Sequence, residues 1–501
     1  MRWRFPFPPH TPWSFGHEEG ARFPFLSWAV FWGYGCVLLG FALFLSFGSP
    51  AFSYDVLVRD MPIAALVVLL MAAGGLFLLL RLVVGTLLAP SSFSLWFWGG
   101  MVGIGLLARV IVLFSEPILE DDYQRYLWDG AVIAYGLNPY LYSPESVLQG
   151  AAPLPYLDLG MLSGLTLERV NHSELRTVYP IGAELLFGFA HKISPFSLLA
   201  WRSLLLVFEL LSLLLLFLMC RHINRSPLWL VLYWWNPLVI KEVINSAHME
   251  GALMSFVLLG VYLSLTSRFI AASAALSVAA SIKLWPALLL PLVWRQLWGR
   301  PFALFGSLLL ALLIGGVVLL AFLSGGLDDS SGLVAYGQRW KTNSAFFPLF
   351  EQGVAGLFQL VSALGLPRFD HAAPYTARGL IGLFLVGVVI YLCRLPRQTE
   401  TRFASQQKLH HFFLLSLLIF LLSPAQFPWY CLWVMPFLVF YPLWGLSLLV
   451  PLMALYYVGF SLMSAGVFDQ ARLLLALLIW LPVWGGLWAE RRQALETPHA
   501  P

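Results

Sequence analysis

The segment FSLWFWGGMVGIGLLARVIVLFS, residues 93–115, is a predominantly apolar run long enough to cross a bilayer as a helix. The segment EPILEDDYQRYLWDG, residues 116–130, follows it directly and carries three consecutive carboxylates, Glu120, Asp121 and Asp122, in a chain that is only 11% charged. Charged groups are costly to place beside hydrocarbon. The junction therefore predicts a membrane boundary at which the acidic side chains face water.

The acidic segment has the spacing of a helix with two different faces. Asp122, Arg125 and Asp129 are three and seven residues apart, so they would share one stripe of a helix, and Tyr123 and Leu127 would lie on a separate apolar stripe. We expect a helix at the membrane surface whose acidic face is turned toward a water-filled pocket.

The composition is that of a polytopic membrane protein. The chain has 501 residues, of which 60% are hydrophobic and 21 are tryptophan, and a mean hydropathy of +0.80. Soluble domains contain less apolar and more charged sequence. The net charge of +4 is modest and no basic block is present, so nucleic acid is not an expected partner. The predicted fold is an all-α integral membrane protein.

Apolar runs predict a bundle of about 12–14 transmembrane helices. The predicted spans lie near 27–48, 62–80, 93–115, 196–220, 228–246, 250–266, 269–284, 285–299, 302–324, 377–394, 409–423, 429–443, 445–466 and 470–489. Two further apolar pieces, 179–193 and 348–364, are predicted to lie along the membrane surface. Residues 27–490 would thus form one transmembrane domain, with cytoplasmic tails at 1–26 and 491–501.

Charge asymmetry predicts which loops face outward. The loop 116–178 contains nine acidic residues and three arginines, and loops poor in basic residues belong on the non-cytoplasmic side. Three crossings from a cytoplasmic N-terminus place it there as well. The second outer loop, 325–347, and the polar turns near residues 248, 283 and 426 fall on the same side. This convergence of polar clusters predicts an active site on the outer face.

The clusters have both chemical and ordinary structural interpretations. Asp121 and Asp122 fit a general base, alone or with a bound Mg²⁺ or Mn²⁺, because a divalent cation relieves the repulsion between adjacent carboxylates; alternatively, they solvate a loop. His248 and Glu250 either contact a polar substrate or form an ordinary polar turn. Lys283 either binds a phosphate or extends to the lipid headgroups.

Several short motifs follow one another along the chain: Asp121-Asp122-x-x-Arg125-Tyr126, Gly136-Leu137-Asn138-Pro139-Tyr140, Tyr179-Pro180, Trp235-Asn236-Pro237, His248-Met249-Glu250, Lys283-x-x-Pro286, Arg339-Trp340 and Ser423-Pro424 with Pro428-Trp429-Tyr430. Their order resembles that of the GT-C class of membrane glycosyltransferases, most closely the bacterial polyprenyl-phosphate-mannose-dependent mannosyltransferases. Two of the motifs depart from the usual pattern: Met249 interrupts the His-Glu turn, and Ile181 replaces a second proline. Both departures leave the identity of the sugar open.

The resemblance implies transfer of a hexose, of mannose type, from a polyprenyl-phosphate carrier to a lipid, glycan or protein acceptor outside the bacterial inner membrane. Asp122 would act as the base of an inverting displacement, with Asp121 as the second candidate. The implied donor-phosphate ligands are Lys283, Arg339 and Lys341, and the implied sugar and acceptor pocket comprises Arg125, Asp129, His248, Glu250 and Tyr430. The alternative is a transporter or flippase of a lipid-linked sugar, although the chain lacks the inverted repeats common in transporters.

Overall fold

The computed structural model describes residues 24–87, 95–364, 370–398 and 401–496. Within these ranges the fold is all-α, with no strand beyond one isolated bridge between Thr342 and Ala425. The predicted fold class is confirmed. Most of the predicted tails, 1–26 and 491–501, lie outside the described residues.

Among the described residues, eight helices are long and apolar enough to cross a membrane. These helices satisfy their backbone hydrogen bonds internally, which makes them suitable for a lipid environment. Their bounds are Leu26–Phe52, Ile63–Thr86, Leu95–Leu113, Leu198–His222, Pro301–Gly325, Ala373–Arg394, Trp444–Ser464 and Phe468–Gln493.

The remaining described helices are shorter, less apolar or part of broken segments. The α-helices among them are Asp122–Ala134, Pro144–Leu148, Leu154–Leu162, Ile181–Ile193, Val231–Trp234, Pro237–Val239, Glu250–Leu265, Phe269–Ile282, Leu290–Trp294, Gly332–Arg339, Phe347–Ala363 and Thr401–Leu422. The 3₁₀ segments outside the spans are Val58–Asp60, Pro227–Leu230, Trp285–Leu289, Arg295–Leu297, Asp370–Ala372, Pro428–Trp433 and Met435–Val439, and Ile240–Asn245 is a π-helical turn.

The helices long and apolar enough to cross a membrane are thus fewer, among the described residues, than the 12–14 predicted from apolar runs. Counting the bent pair Pro237–Asn245 and Glu250–Leu265 as one span raises the total among the described residues only to nine. The runs predicted as spans at 228–246, 285–299 and 429–443 are instead short helical pieces interrupted by prolines. Proline lacks a backbone N–H and breaks a helix, and such irregular backbone is tolerated at membrane depth when protein surrounds it.

The bent pair lies at the centre of the bundle. Asn236 caps the short helix after it, since its Oδ1 accepts hydrogen bonds from the backbone N–H groups of Leu238 and Val239 at 3.0 and 3.4 Å. The helix axis bends by 117° between the two helices of the pair. Residues 236–250 are all buried. The break therefore brings polar side chains from the middle of the chain into the protein interior.

A buried ion pair fixes the neighbouring spans. Arg109 Nη2 lies 2.9 Å from Glu209 Oε2, and both side chains are fully buried. Arg109 also donates to the carbonyl of Trp234, and the Tyr233 hydroxyl donates to Glu209. Each charge thus has several partners, which a buried charge requires. The spans Leu95–Leu113 and Leu198–His222 are joined in this way to the segment that precedes the break.

The acidic segment forms the predicted helix, Asp122–Ala134, and this helix packs on Ile181–Ile193. The two helices approach closely at Gly130, where an added Cβ would lie 2.6 Å from the carbonyl oxygen of Phe187. Tyr126 stacks on Phe187 with ring centroids 4.6 Å apart. This packing holds the start of the acidic helix in a fixed position. Neither Ile181–Ile193 nor Phe347–Ala363, the two pieces predicted to lie along the surface, is among the eight candidate spans.

We expect Gly130→Ala to destabilise the protein by about 1–3 kcal/mol, since the new methyl group meets backbone that cannot move aside. The measurement is the midpoint of thermal unfolding in detergent. Gly103→Ala is the matched control, because nothing lies within 4 Å of a Cβ at that position. Equal midpoints for the two variants would contradict the close approach.

Candidate active site

A cavity of about 800 Å³ brings together segments that are far apart in the sequence. Its acidic lining residues are Glu116, Glu120, Asp121, Asp122 and Glu250, and its basic lining residues are Arg125, Arg176, Lys283 and Arg378. Tyrosine, tryptophan and phenylalanine side chains form much of the remaining wall. A cavity with apolar walls and a few convergent charged groups is the usual form of a small-molecule site.

Asp121 and Asp122, the acid pair, lie at the start of the helix Asp122–Ala134, the acidic helix, and one amide group holds both carboxylates. Asn171 Nδ2 donates to Asp121 Oδ1 at 2.7 Å and to Asp122 Oδ1 at 2.8 Å. Asp122 is the first residue of the helix, where the helix dipole favours negative charge. Burial raises the pKa of Asp121 to about 6, and the adjacent Asp122 carboxylate adds to this rise. The two carboxylates therefore share a donor but differ in position relative to the helix.

Arg125 positions the loop that carries Asn171. Its guanidinium donates to the carbonyl oxygens of Asn171, His172 and Leu175 at 2.9–3.1 Å. These hydrogen bonds join the acidic helix to the loop that carries Asn171. Although Arg125 lines the cavity, much of its donor capacity serves this structural purpose.

Lys283 and Glu250 form a close ion pair in the cavity wall. Lys283 Nζ lies 2.5 Å from Glu250 Oε1, and the Glu250 side chain is only 1% exposed. The ammonium group also lies 3.9 Å from the ring centroid of Tyr430, whose hydroxyl is 2.9 Å from that of Tyr336. A buried carboxylate requires such a cation. Lys283, Glu250 and Tyr430, three of the predicted site residues, are thus in one contact group.

Arg378 is a second basic group in the wall, and sequence reasoning did not select it. It lies near the start of the span Ala373–Arg394 and donates to the carbonyls of Pro374 and Trp340, both at 3.3 Å. Its Nε atom is buried and has no hydrogen-bond partner among the described residues. Arginine inside an apolar span is itself a signal of function, and this signal could have identified Arg378.

Four predicted site residues lie outside the cavity lining. Asp129 is a buried residue of the acidic helix itself, where burial raises its pKa to about 6 against the lowering effect of Arg125. His248 is fully buried and stacks on Trp429 at 3.8 Å. Arg339 is exposed at the end of its helix, and Lys341 pairs with Glu351 at 2.7 Å.

Three other lining residues are not among the predicted site residues. Asn171 bridges the acid pair, and Arg176 pairs with Asp328 at 2.8 Å. Burial raises the pKa of Glu120 to about 7, although nearby His248 acts to lower it. No local pattern distinguishes Asn171 or Arg176, whereas Glu120 belongs to the same acidic segment as the predicted base.

The fold and the cavity are those of an all-α polytopic membrane protein with a charged pocket among its helices. Residues 178–424 match the profile of Glycosyltransferase family 87. The chain is also 26% identical over 204 residues to "Alpha-(1->6)-mannopyranosyltransferase A" of Corynebacterium glutamicum, a match that covers 39% of this chain and 38% of that relative. These two matches show that the chain resembles GT-C-type membrane mannosyltransferases over parts of its length, so the predicted resemblance is confirmed.

The family match covers only part of the candidate site. Glu250, Lys283 and Arg378 lie within residues 178–424, whereas the acid pair Asp121 and Asp122 lies before them. The chain spans less than two fifths of the length of the curated relative that it matches. The activity, substrates and partners of this chain therefore have to be inferred from the site.

Proposed function

We propose that the protein is a glycosyltransferase that moves a mannose-type hexose from a polyprenyl-phosphate carrier to an acceptor hydroxyl on the outer side of the bacterial inner membrane. The observation that carries this proposal is the single cavity in which the acid pair lies together with the basic groups Lys283 and Arg378. The match to Glycosyltransferase family 87 and the likeness to a mannosyltransferase support the type of reaction and the type of sugar.

The proposed reaction is a direct displacement with inversion. The oxygen of the acceptor hydroxyl forms a bond to the anomeric carbon of the donor, and Asp122 accepts the proton that this hydroxyl loses. The bond between this carbon and the phosphate oxygen breaks, and the polyprenyl phosphate leaves with the electron pair. Asn171 holds the two acids in place. Positioning and charge stabilisation are sufficient for such a step, because the donor is already activated.

Basic side chains would stabilise the departing phosphate. Lys283 and Arg378 line the cavity, and cations near a leaving group that gains negative charge lower the barrier. The structure supports Lys283 and adds Arg378 to the proposed phosphate ligands. Arg339 and Lys341 lie outside the cavity lining, so they are weaker candidates.

The cavity also has walls suited to an isoprenoid chain. Ile381 and Leu385 of the span Ala373–Arg394 line it, as do Ile419 and Leu422 of the helix Thr401–Leu422. The lining of the cavity therefore combines apolar side chains of these two helices with the charged acid pair. A substrate with a sugar phosphate head and a hydrocarbon tail fits this polarity.

A transfer assay with purified protein tests the proposal. The protein is reconstituted in lipid nanodiscs with a radiolabelled polyprenyl-phosphate mannose and a cell-envelope extract as the source of acceptor. We expect label to leave the carrier and appear in a new product. If label instead crosses the bilayer of proteoliposomes on its intact carrier, with no transfer in the assay, the protein is a flippase and the proposal is wrong.

We expect Asn171→Ala to lower the rate constant of transfer by about tenfold, because hydrogen bonds to charged groups contribute about 1.5–3 kcal/mol and part of the positioning remains. The measurement is the single-turnover rate in the same assay. Asn138→Ala is the control, since the Asn138 side chain donates to Ser324 outside the cavity lining. An unchanged rate in Asn171→Ala would show that the amide does not position the base.

A further inference from the structure

We propose that Glu120, Glu242 and His248 form a binding site for a divalent transition metal of the zinc type. The site lies next to the candidate active site but differs from the pair Asp121 and Asp122, at which the sequence suggested Mg²⁺ or Mn²⁺. It is assembled from three separate places: the loop before the acidic helix, the π-helical turn Ile240–Asn245 and the break that follows this turn. The inference does not depend on the proposed glycosyl transfer.

The three side chains have the spacing of metal ligands. One ligand atom of each lies within 4.8 Å of the other two. His248 Nε2 is 3.4 Å from Glu120 Oε2 and 3.9 Å from Glu242 Oε2. Two ligand atoms bound to zinc at about 2.0–2.2 Å in tetrahedral geometry are about 3.4 Å apart. Only small side-chain movements would therefore be needed to bring all three atoms within bonding distance of one ion.

The imidazole of His248 is oriented as a ligand and has an unused nitrogen. Its ring is fully buried and stacks on Trp429 with centroids 3.8 Å apart. Nδ1 lies 3.4 Å from the Tyr126 hydroxyl, whereas Nε2 has no hydrogen-bond partner among the described residues. Buried polar atoms without partners are rare, and a hydrogen bond at one ring nitrogen orients the other toward a metal. Nε2 is the ring nitrogen that faces both carboxylates.

The charges around the site leave room for a second cation. Lys241 Nζ lies 3.9 Å from Glu120 Oε1 and 3.5 Å from Glu242 Oε1. Each carboxylate thus turns one oxygen toward Lys241 and the other, Oε2, toward His248. Lys241 can neutralise only one of the two carboxylates. A divalent ion at the Oε2 side would neutralise the second carboxylate. It would take the place of the proton on His248 that would otherwise supply this positive charge.

Neighbouring groups hold the carboxylates and leave a route for the ion. The Tyr457 hydroxyl donates to Glu242 Oε1 at 2.6 Å, which fixes the orientation of that carboxylate. Glu120 lines the cavity, so an ion could enter from there. An imidazole with two carboxylates suits zinc-type metals better than Mg²⁺ or Ca²⁺, which prefer oxygen ligands alone. Three protein ligands would also leave one coordination position open.

Metal analysis of the full chain tests the proposal. The protein is expressed in zinc-supplemented medium, purified in detergent without a metal-affinity column, dialysed, and measured by inductively coupled plasma mass spectrometry. We expect about one zinc ion per chain in the wild type and a loss of at least tenfold in Glu242→Gln and His248→Gln. Glu184→Gln and His191→Gln are matched controls, because both residues are buried but lie outside the cluster; both should keep the metal.

A second measurement covers the case in which the cluster variants do not fold. Treating the wild type with a chelator should remove the ion and lower the midpoint of thermal unfolding, and Zn²⁺ but not Mg²⁺ should restore it. Folded Glu242→Gln and His248→Gln should not respond. Wild-type protein without bound metal whose midpoint does not respond to Zn²⁺ would overturn the proposal, and would show that Lys241 and a protonated His248 balance the carboxylates alone. Equal metal in the controls and the cluster variants would also overturn it.

Discussion

Asp122→Asn is expected to lower the rate of glycosyl transfer by about 10²- to 10⁴-fold, the usual contribution of a positioned general base. Asparagine keeps the size of the side chain and can still accept the hydrogen bond from Asn171, which lies 2.8 Å from Asp122 Oδ1. It cannot accept the proton of the acceptor hydroxyl. The loss should therefore appear in the single-turnover rate constant, with little change in the midpoint of thermal unfolding.

Asp121→Asn is the matched control for this experiment. The two residues are adjacent, line the same cavity and accept hydrogen bonds from the same amide nitrogen. We expect this variant to retain a rate within about tenfold of the wild type, because it leaves the proposed base intact. The opposite result, a large loss in Asp121→Asn and a small loss in Asp122→Asn, would transfer the role of base to Asp121. Normal rates in both would rule out the acid pair as the source of the base.

The sequence predicted the class of fold well, and it predicted single spans better than broken ones. The apolar run at 62–80 corresponds to the helix Ile63–Thr86 and the run at 302–324 to Pro301–Gly325. The run at 429–443 is as apolar, but it forms the 3₁₀ segments Pro428–Trp433 and Met435–Val439. Apolar composition indicates burial, and it does not distinguish burial in lipid from burial in protein. Prolines 428 and 436 were the available signal for a broken segment.

The candidate site was predictable where its residues stood out from their local sequence. Lys283 lies between apolar runs and Asp122 lies in a cluster of acids, and both line the cavity. Arg339 and Lys341 belong to a polar loop, where sequence alone gives no indication of which cations point inward. Asn171 depends on a contact across 49 or 50 positions of the chain. Such a contact follows from the packing of the loop against the acidic helix, which no local pattern encodes.

Arg378→Gln is expected to weaken the use of the lipid-phosphate donor by about 10- to 100-fold in kcat/KM, since hydrogen bonds to charged groups contribute about 1.5–3 kcal/mol. Its buried Nε atom has no partner among the described residues, so it is available to a phosphate. Lys283 is a less informative target. Removing it would leave the buried carboxylate of Glu250 without its cation, which costs about 3–5 kcal/mol and would confuse binding with stability.

Arg176→Gln is the control that separates a role in donor binding from a general effect of charge. Arg176 also lines the cavity, but it pairs with Asp328 at 2.8 Å, so its loss should leave kcat/KM for the donor within about threefold of the wild-type value. Arg378→Lys keeps the positive charge but loses the planar set of donors that binds phosphate at two points. We therefore expect Arg378→Lys to fall between the wild type and Arg378→Gln. If Arg378→Gln and Arg176→Gln weaken donor use equally, the cavity attracts the phosphate through its net charge, and Arg378 is not a specific ligand.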